Sequence, residues 1–231
     1  MRYPIPSQEH SVSPGCRTAY REMNMHIVDG ALSSEVIVTG AVLGVAAVGY
    51  GLRKIDIDAM PRVAMMSAVF FVASLIHVPV GPTSAHLIVN GLAGLMLGWA
   101  IFPAIFVGLL LQAVFFGFGG ITVLGVNTIN IALPGFVMWL VISPIIARTD
   151  GKMLLMAGFV AGAGAIGLSS MLVGLSLAAS GQEFITTAKL VVASHIPVMV
   201  VEGILTAAAL HLVKKVRPVM LEPAGVLRSA T

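Results

Sequence analysis

Charge is what this 231-residue chain has least of: Asp, Glu, Lys and Arg make up 10% of it, against 58% apolar residues. A water-soluble globule carries about 25% charged residues. The scarcity is concentrated, because no Asp, Glu, Lys or Arg occurs in the 85 residues from 63 to 147. Such a stretch is not one soluble core; it is room for about four membrane crossings of ~20 residues each. Cysteine is nearly absent too. Cys16 stands alone, which excludes an intrachain disulfide framework and any Cys-rich metal site. Basic residues exceed acidic ones by only three and form no stripe, so the pI near 9.3 is no sign of nucleic-acid binding. No G-x-x-x-x-G-K-[ST] loop is present, so the chain does not itself hold ATP through a P-loop. Neither H-E-x-x-H nor G-x-S-x-G occurs. Away from their ends the apolar spans hold one formal charge, Glu202, where proton-coupled carriers tend to show a chain of carboxylates.

What is there is apolar sequence, of mean hydropathy +0.99, broken by Pro, Gly and polar residues. The breaks predict seven helices, at roughly 33–52, 62–79, 86–100, 102–118, 129–147, 153–180 and 187–214. The expected fold is all-α, a polytopic membrane bundle, because lipid satisfies no bare backbone and no barrel-type alternation is visible. Three parts follow: an extension over 1–24, a transmembrane domain over 25–217 and a tail over 218–231. Basic residues orient the bundle. With residue 30 outside, the inner segments hold Arg53, Lys54, Arg62, Arg148, Lys152, Lys214, Lys215, Arg217 and Arg228, and the outer loops after residue 25 hold only Lys189. The expected C-terminus is cytoplasmic. Residues 1–24 run against this bias with Arg2, Arg17 and Arg21, and have no apolar h-region of a signal peptide. They read either as an outer tail or as the product of an upstream start codon, with Met25 the true first residue. The charge bias favours the second. Gly40, Gly44, Ala47 and Gly51 line one face of the first helix, a stripe that packs either within the chain or against a partner membrane subunit.

Histidine carries the remaining chemistry. His26 precedes the first helix, His77 ends the second and His86 opens the third, all expected at the outer side; His195 opens the last helix there, deeper. His211 lies near the inner end and His10 in the extension. Imidazole suits nickel, cobalt, copper and zinc, although a lone histidine at a helix end is more commonly a hydrogen-bonded interfacial residue. Met25-His26 adds one property. If Met25 is the N-terminus, its amine, the His26 amide nitrogen and the His26 ring nitrogen chelate one ion in fused rings, and one more imidazole completes four nitrogens in a plane. Square-planar nitrogen selects Cu(II) or Ni(II), and binding weakens in acid because the amide must lose its proton. Two other readings stand beside metal capture: an intramembrane zinc hydrolase built on His77, His86, His195 and Glu202, and a stand-alone metal permease.

Four blocks then carry a resemblance. Met25-His26-Ile27-Val28-Asp29-Gly30 resembles the M-H-I-x-[DE]-G start of the CbiM/NikM proteins, the substrate-binding (S) components of energy-coupling-factor transporters for cobalt and nickel. Gly81-Pro82-Thr83-Ser84-Ala85-His86-Leu87 is similar to their G-[GP]-T-S-x-H-L block. Gly119 to Asn127 is similar to G-G-[LI]-T-x-L-G-x-N, and Ile196-Pro197 followed by Glu202-Gly203 to the opening of their last helix. The resemblance implies a seven-helix bundle and the metal ligands Met25, His26 and His86, with Ni(II) or Co(II) as transported substrate and no catalytic cofactor. It implies a non-enzymatic subunit of the inner (plasma) membrane that works with a transmembrane coupling (T) subunit, two cytoplasmic ATPase subunits and often a small accessory membrane subunit. Cobalt so imported serves cobalamin biosynthesis. Around the ligands, His77 is a candidate neighbour. Asp29 either tethers the His26 turn or is an N-terminal helix charge. Thr83 and Ser84 either support the site or cap the third helix, and Asn127 either lines the site or closes its own turn. The G-P-T-S-x-H form looks closer to nickel-type members, but Co(II) follows Ni(II) closely in affinity for such ligands.

Overall fold

The computed structural model describes residues 27, 29–80, 83–181 and 184–221. The expected extension over 1–24, the expected ligands Met25 and His26, and the tail past residue 221 lie outside the described residues. Among those described, the helices are α1 (Ser34–Arg53), α2 (Met60–Ala73), α3 (Asn90–Leu97), α4 (Ile101–Phe116), α5 (Leu124–Ile146), α6 (Gly151–Ser180), α7 (Ile185–Ser194) and α8 (Ile196–Val216). Two four-residue strands, β1 (His77–Val80) and β2 (Thr83–His86), pair as an antiparallel ribbon. The chain is a helical membrane bundle, as its composition requires. Among the described residues, five stretches are long and apolar enough to cross a bilayer: α1, α5, α6, α8 and the run from Asn90 to Phe116.

That last run is not one crossing. Gly98 ends α3 at φ 54°, ψ −123°, a backbone that suits glycine, and the chain reverses there. Descending α3 passes from Asn90, bonded to the Ile131 carbonyl, to Leu95, which packs with Ile142 and Ile146. Ascending α4 passes from Pro103, beside Gly51 at the end of α1, to Gly108, beside Phe70, and on to Phe116, 5.7 Å from Phe71. The expected division into two helices holds, with α3 shorter than expected. Trp99 anchors the reversal, its ring 4.2 Å from Phe136 and 4.6 Å from Tyr50, an aromatic cluster of the kind that sits at a membrane interface.

The expected second and third helices differ most from the structure. α2 stops at Ala73 rather than 79, and His77 begins a strand instead of ending a helix. Pro79 and Pro82 cannot serve a helix interior, and Val78, Val80 and Thr83 favour extended backbone. Thr83 and Ser84 therefore do not cap α3. Its N-cap is Val89, with no side-chain cap. The expected single helix over 187–214 is instead α7 and α8, interrupted at His195 because Pro197 in the first turn of α8 offers no N–H. Together α7 and α8 run back along α6: Gly174 faces Ala188, Gly167 faces Met199 and Gly158 faces Ala207.

The small-residue stripe of α1 packs within the chain. A Cβ on Gly44 would lie 2.9 Å from the Gly125 Cα, and one on Gly51 would lie 2.7 Å from the Trp99 carbonyl oxygen. α3 sits at the centre, with every residue from Asn90 to Leu97 buried. One end of the bundle carries the ribbon and the α4–α5 loop. The other carries Gly98 and the α5–α6 turn, where Lys214 donates to the Ile146 carbonyl at 2.8 Å and to that of Thr149, and meets Asp150 at 3.0 Å.

Candidate metal site

His86 is the last residue of β2. The ribbon register sets it opposite His77, with Ser84 opposite Pro79 and Thr83 opposite Val80. The Leu87 amide donates to the Ile76 carbonyl at 3.2 Å and closes the ribbon's base. The His86 side chain is 2% exposed, with Nδ1 3.4 Å from the Leu87 carbonyl oxygen. Directly below it the backbone turns irregular. Val89 stands at φ 55°, a left-handed conformation rare for a β-branched residue. Bare amides at this depth need partners inside the protein, and Glu202 of α8 supplies them. Its carboxylate accepts from the Ile88 amide at 2.5 Å and from the Val89 amide at 2.9 and 3.1 Å.

The stretch following His26 is moored at the same end of the bundle. Asn127, in the first turn of α5, accepts from the Ile27 amide at 3.2 Å and donates to the Ile27 carbonyl at 3.0 Å. It thus grips a peptide segment rather than closing its own turn. Two residues on, the Asp29 amide donates to the Gly119 carbonyl at 3.1 Å, and Thr122 donates to the Asp29 carboxylate. The carboxylate lies where a Cβ on Gly120 would be, and Gly120 itself is at φ 146°. Glycine there is a condition of the mooring. Asp29 is no helix charge, since α1 begins at Ser34 and Glu35 occupies its first turn. The two segments joined here are far apart in sequence, and both belong to blocks singled out from it. Thr122 as the partner of Asp29, and the Ile88–Val89 amides as the targets of Glu202, were not legible: neither pair has any periodicity to betray it.

His195 is 2% exposed, and its Nδ1 donates to the Val191 carbonyl at 2.6 Å. That tautomer leaves the lone pair on Nε2, which has no hydrogen-bond partner among the described residues. His211 is exposed on α8, nearer the Lys214 end. Among the described residues, no group of three or more His, Cys, Asp or Glu side chains is placed to hold a metal ion. This leaves the zinc-hydrolase constellation of His77, His86, His195 and Glu202 without support, and Glu202 is fully engaged with backbone. A groove of about 360 Å³ opens between α1, α5 and α6, lined in part by Glu35, Thr39, Asn130 and Ser176. It does not reach His86.

Known proteins resemble this chain in sequence and in fold. Residues 26–220 match the sequence model of CbiM, described as the cobalt uptake substrate-specific transmembrane region. A putative metal transport protein of Haemophilus influenzae is 40% identical over 199 residues, covering 84% of this chain and 95% of that protein. The cobalt transport protein CbiM of Sorangium cellulosum is 30% identical over 223 residues, covering 89% and 98%. The fused nickel transport protein NikMN of Rhodobacter capsulatus is 45% identical over 120 residues, which is 48% of this chain and 34% of that protein. A crystal structure of a transition metal transporter superposes with a TM-score of 0.72 at 23% identity, covering 83% of this chain and 93% of the other.

Proposed function

Since the chain belongs to the CbiM family of cobalt-uptake transmembrane proteins, we propose that it is the subunit that captures Ni(II) or Co(II) at the outer face of the membrane, through Met25, His26 and His86. The chain is a membrane component of metal uptake and not an enzyme.

The observation that carries it is the double mooring of the N-terminal stretch. Asn127 holds both backbone groups of Ile27, and the Gly119–Thr122 loop holds Asp29. His26 is the residue next to Ile27, and the buried His86 lies at the same end of the bundle. With the Met25 amine free, three nitrogens of Met25-His26 and one of His86 form a planar set suited to Ni(II), with Co(II) close behind. The distribution of basic residues supports an outer position for the moored end and a cytoplasmic C-terminus. As the resemblance to the CbiM/NikM proteins implies, ATPase subunits and a T subunit that couples them work with this chain, which has no P-loop of its own. Release inside is then the work of the assembled complex.

The test is Ni(II) titration of the purified chain, with its intact mass measured in the same preparation. His86→Ala should lose affinity well beyond the roughly 10–100-fold that removal of an outer-shell partner brings. Wild-type affinity in that variant, or active protein whose first residue is Met1, rules out the ligand set. A stand-alone permease differs by transporting in vesicles that hold no other subunit.

A further inference from the structure

We propose that Glu202 is a positioning residue for the metal site: its carboxylate clamps the Ile88–Val89 turn and thereby sets the place of the His86 imidazole. The inference rests on the reading of His86 as a ligand.

Three observations lead to it. The carboxylate is 0% exposed and directed wholly at main chain, reaching the Ile88 and Val89 amides from a helix 113 residues away in sequence. The turn it holds is strained. A valine at φ 55° pays a left-handed penalty of roughly 1–2 kcal/mol that only glycine escapes, so the turn persists because something over-determines it. And Glu202 is itself fixed in depth. The Gly203 Cα faces the Phe159 ring, with an ideal Cβ only 2.7 Å from it. Gly91 of α3 packs on Ala161 and Gly162 of α6, and Gly162 in turn faces Thr206 of α8. Glycines thus let α3, α6 and α8 close on one another around the carboxylate.

His86 stands two residues before Ile88, with its strand already anchored at Leu87. If the turn below relaxes, valine leaves the left-handed region and the end of β2 rotates with it. Satisfying two buried amides would by itself be a purely structural role. The functional claim is narrower: the geometry Glu202 imposes is the one that presents His86 to the ion.

The experiment uses Ni(II) on the full chain in detergent, with His86→Ala alongside. Glu202→Gln keeps the shape but weakens the acceptor and brings an N–H pair toward amides. It should lower Ni(II) affinity by roughly 10–100-fold. At saturating Ni(II) its visible absorption band should match that of the wild type, because the ligands are unchanged. Adding Val89→Gly to Glu202→Gln should restore most of the lost affinity, since glycine adopts the left-handed turn without the clamp. Glu202→Asp withdraws the oxygens by one methylene and should show the same loss and the same rescue, so the result does not hang on one variant folding. Wild-type affinity in both Glu202 variants overturns the proposal. So does a shifted absorption band, which would make Glu202 a ligand, or a double variant no better than the single one. Wild-type binding by His86→Ala would instead overturn the ligand set beneath it, a result distinguishable from all of these.

Discussion

Asn127 gives Ile27 one donor and one acceptor, as a neighbouring strand would. Two buried hydrogen bonds of this kind contribute about 1 kcal/mol each, and more is lost when their partners are left unsatisfied. Asn127→Ala should therefore lower Ni(II) affinity about tenfold, a change of roughly 1.4 kcal/mol, because the stretch behind the proposed ligands must then be ordered on binding. Competition titration against a chromogenic chelator reads this directly, and Asn127→Asp, which keeps only the acceptor, should fall between. At this scale the sequence was half legible. Asn127 and Asp29 stood out because each sits in a compact block of unusual residues. Glu202 stood out as the one charge in the interior of its span, but its partners did not, since a contact between main chain at 88–89 and a side chain at 202 leaves no pattern in either stretch.

Elements were legible where hydropathy and breakers agree. α1, α5 and α6 begin and end within a few residues of expectation, apart from the start of α5. The ribbon was missed because its valines are as apolar as a helix end, so only Pro79 and Pro82 marked the change. Glycine meaning was also split by element. Gly94 of α3 lies against the Gly135 backbone, while Gly49 of α1 has nothing within 4 Å of an added Cβ. Gly94→Ala should thus cost about 1–3 kcal/mol by overpacking. Gly49→Ala should leave stability unchanged or raise it by up to ~1 kcal/mol, the helix-propensity difference. Thermal unfolding of the two variants in the same detergent checks both signs.

The whole molecule is held from both ends. At the end away from the ribbon, Lys214 joins α8 to the last carbonyls of α5 and to Asp150, while Arg62 of α2 donates to the Met220 carbonyl at 3.1 Å. The ion pair itself is worth little, since Asp150 is 88% exposed; capping the end of α5 is the larger part. Lys214→Met should cost about 1 kcal/mol and lower the unfolding midpoint by ~2–4 °C, with Ni(II) affinity within about twofold of the wild type.

The reversal at Gly98 has a consequence for how such chains are mapped. Within the bundle the chain changes direction from α1 to α2, α3, α4, α5, α6 and the α7–α8 pair, seven segments in all. Counting only the five long apolar stretches skips α2 and fuses α3 with α4. Both tallies are odd, so a reporter at the C-terminus lights up on one face under either. The ribbon changes side between them, however, and the shorter tally strands His86 across the lipid from Ile27, where imidazole and amine could never share an ion. Only a label on the ribbon itself tells the two maps apart.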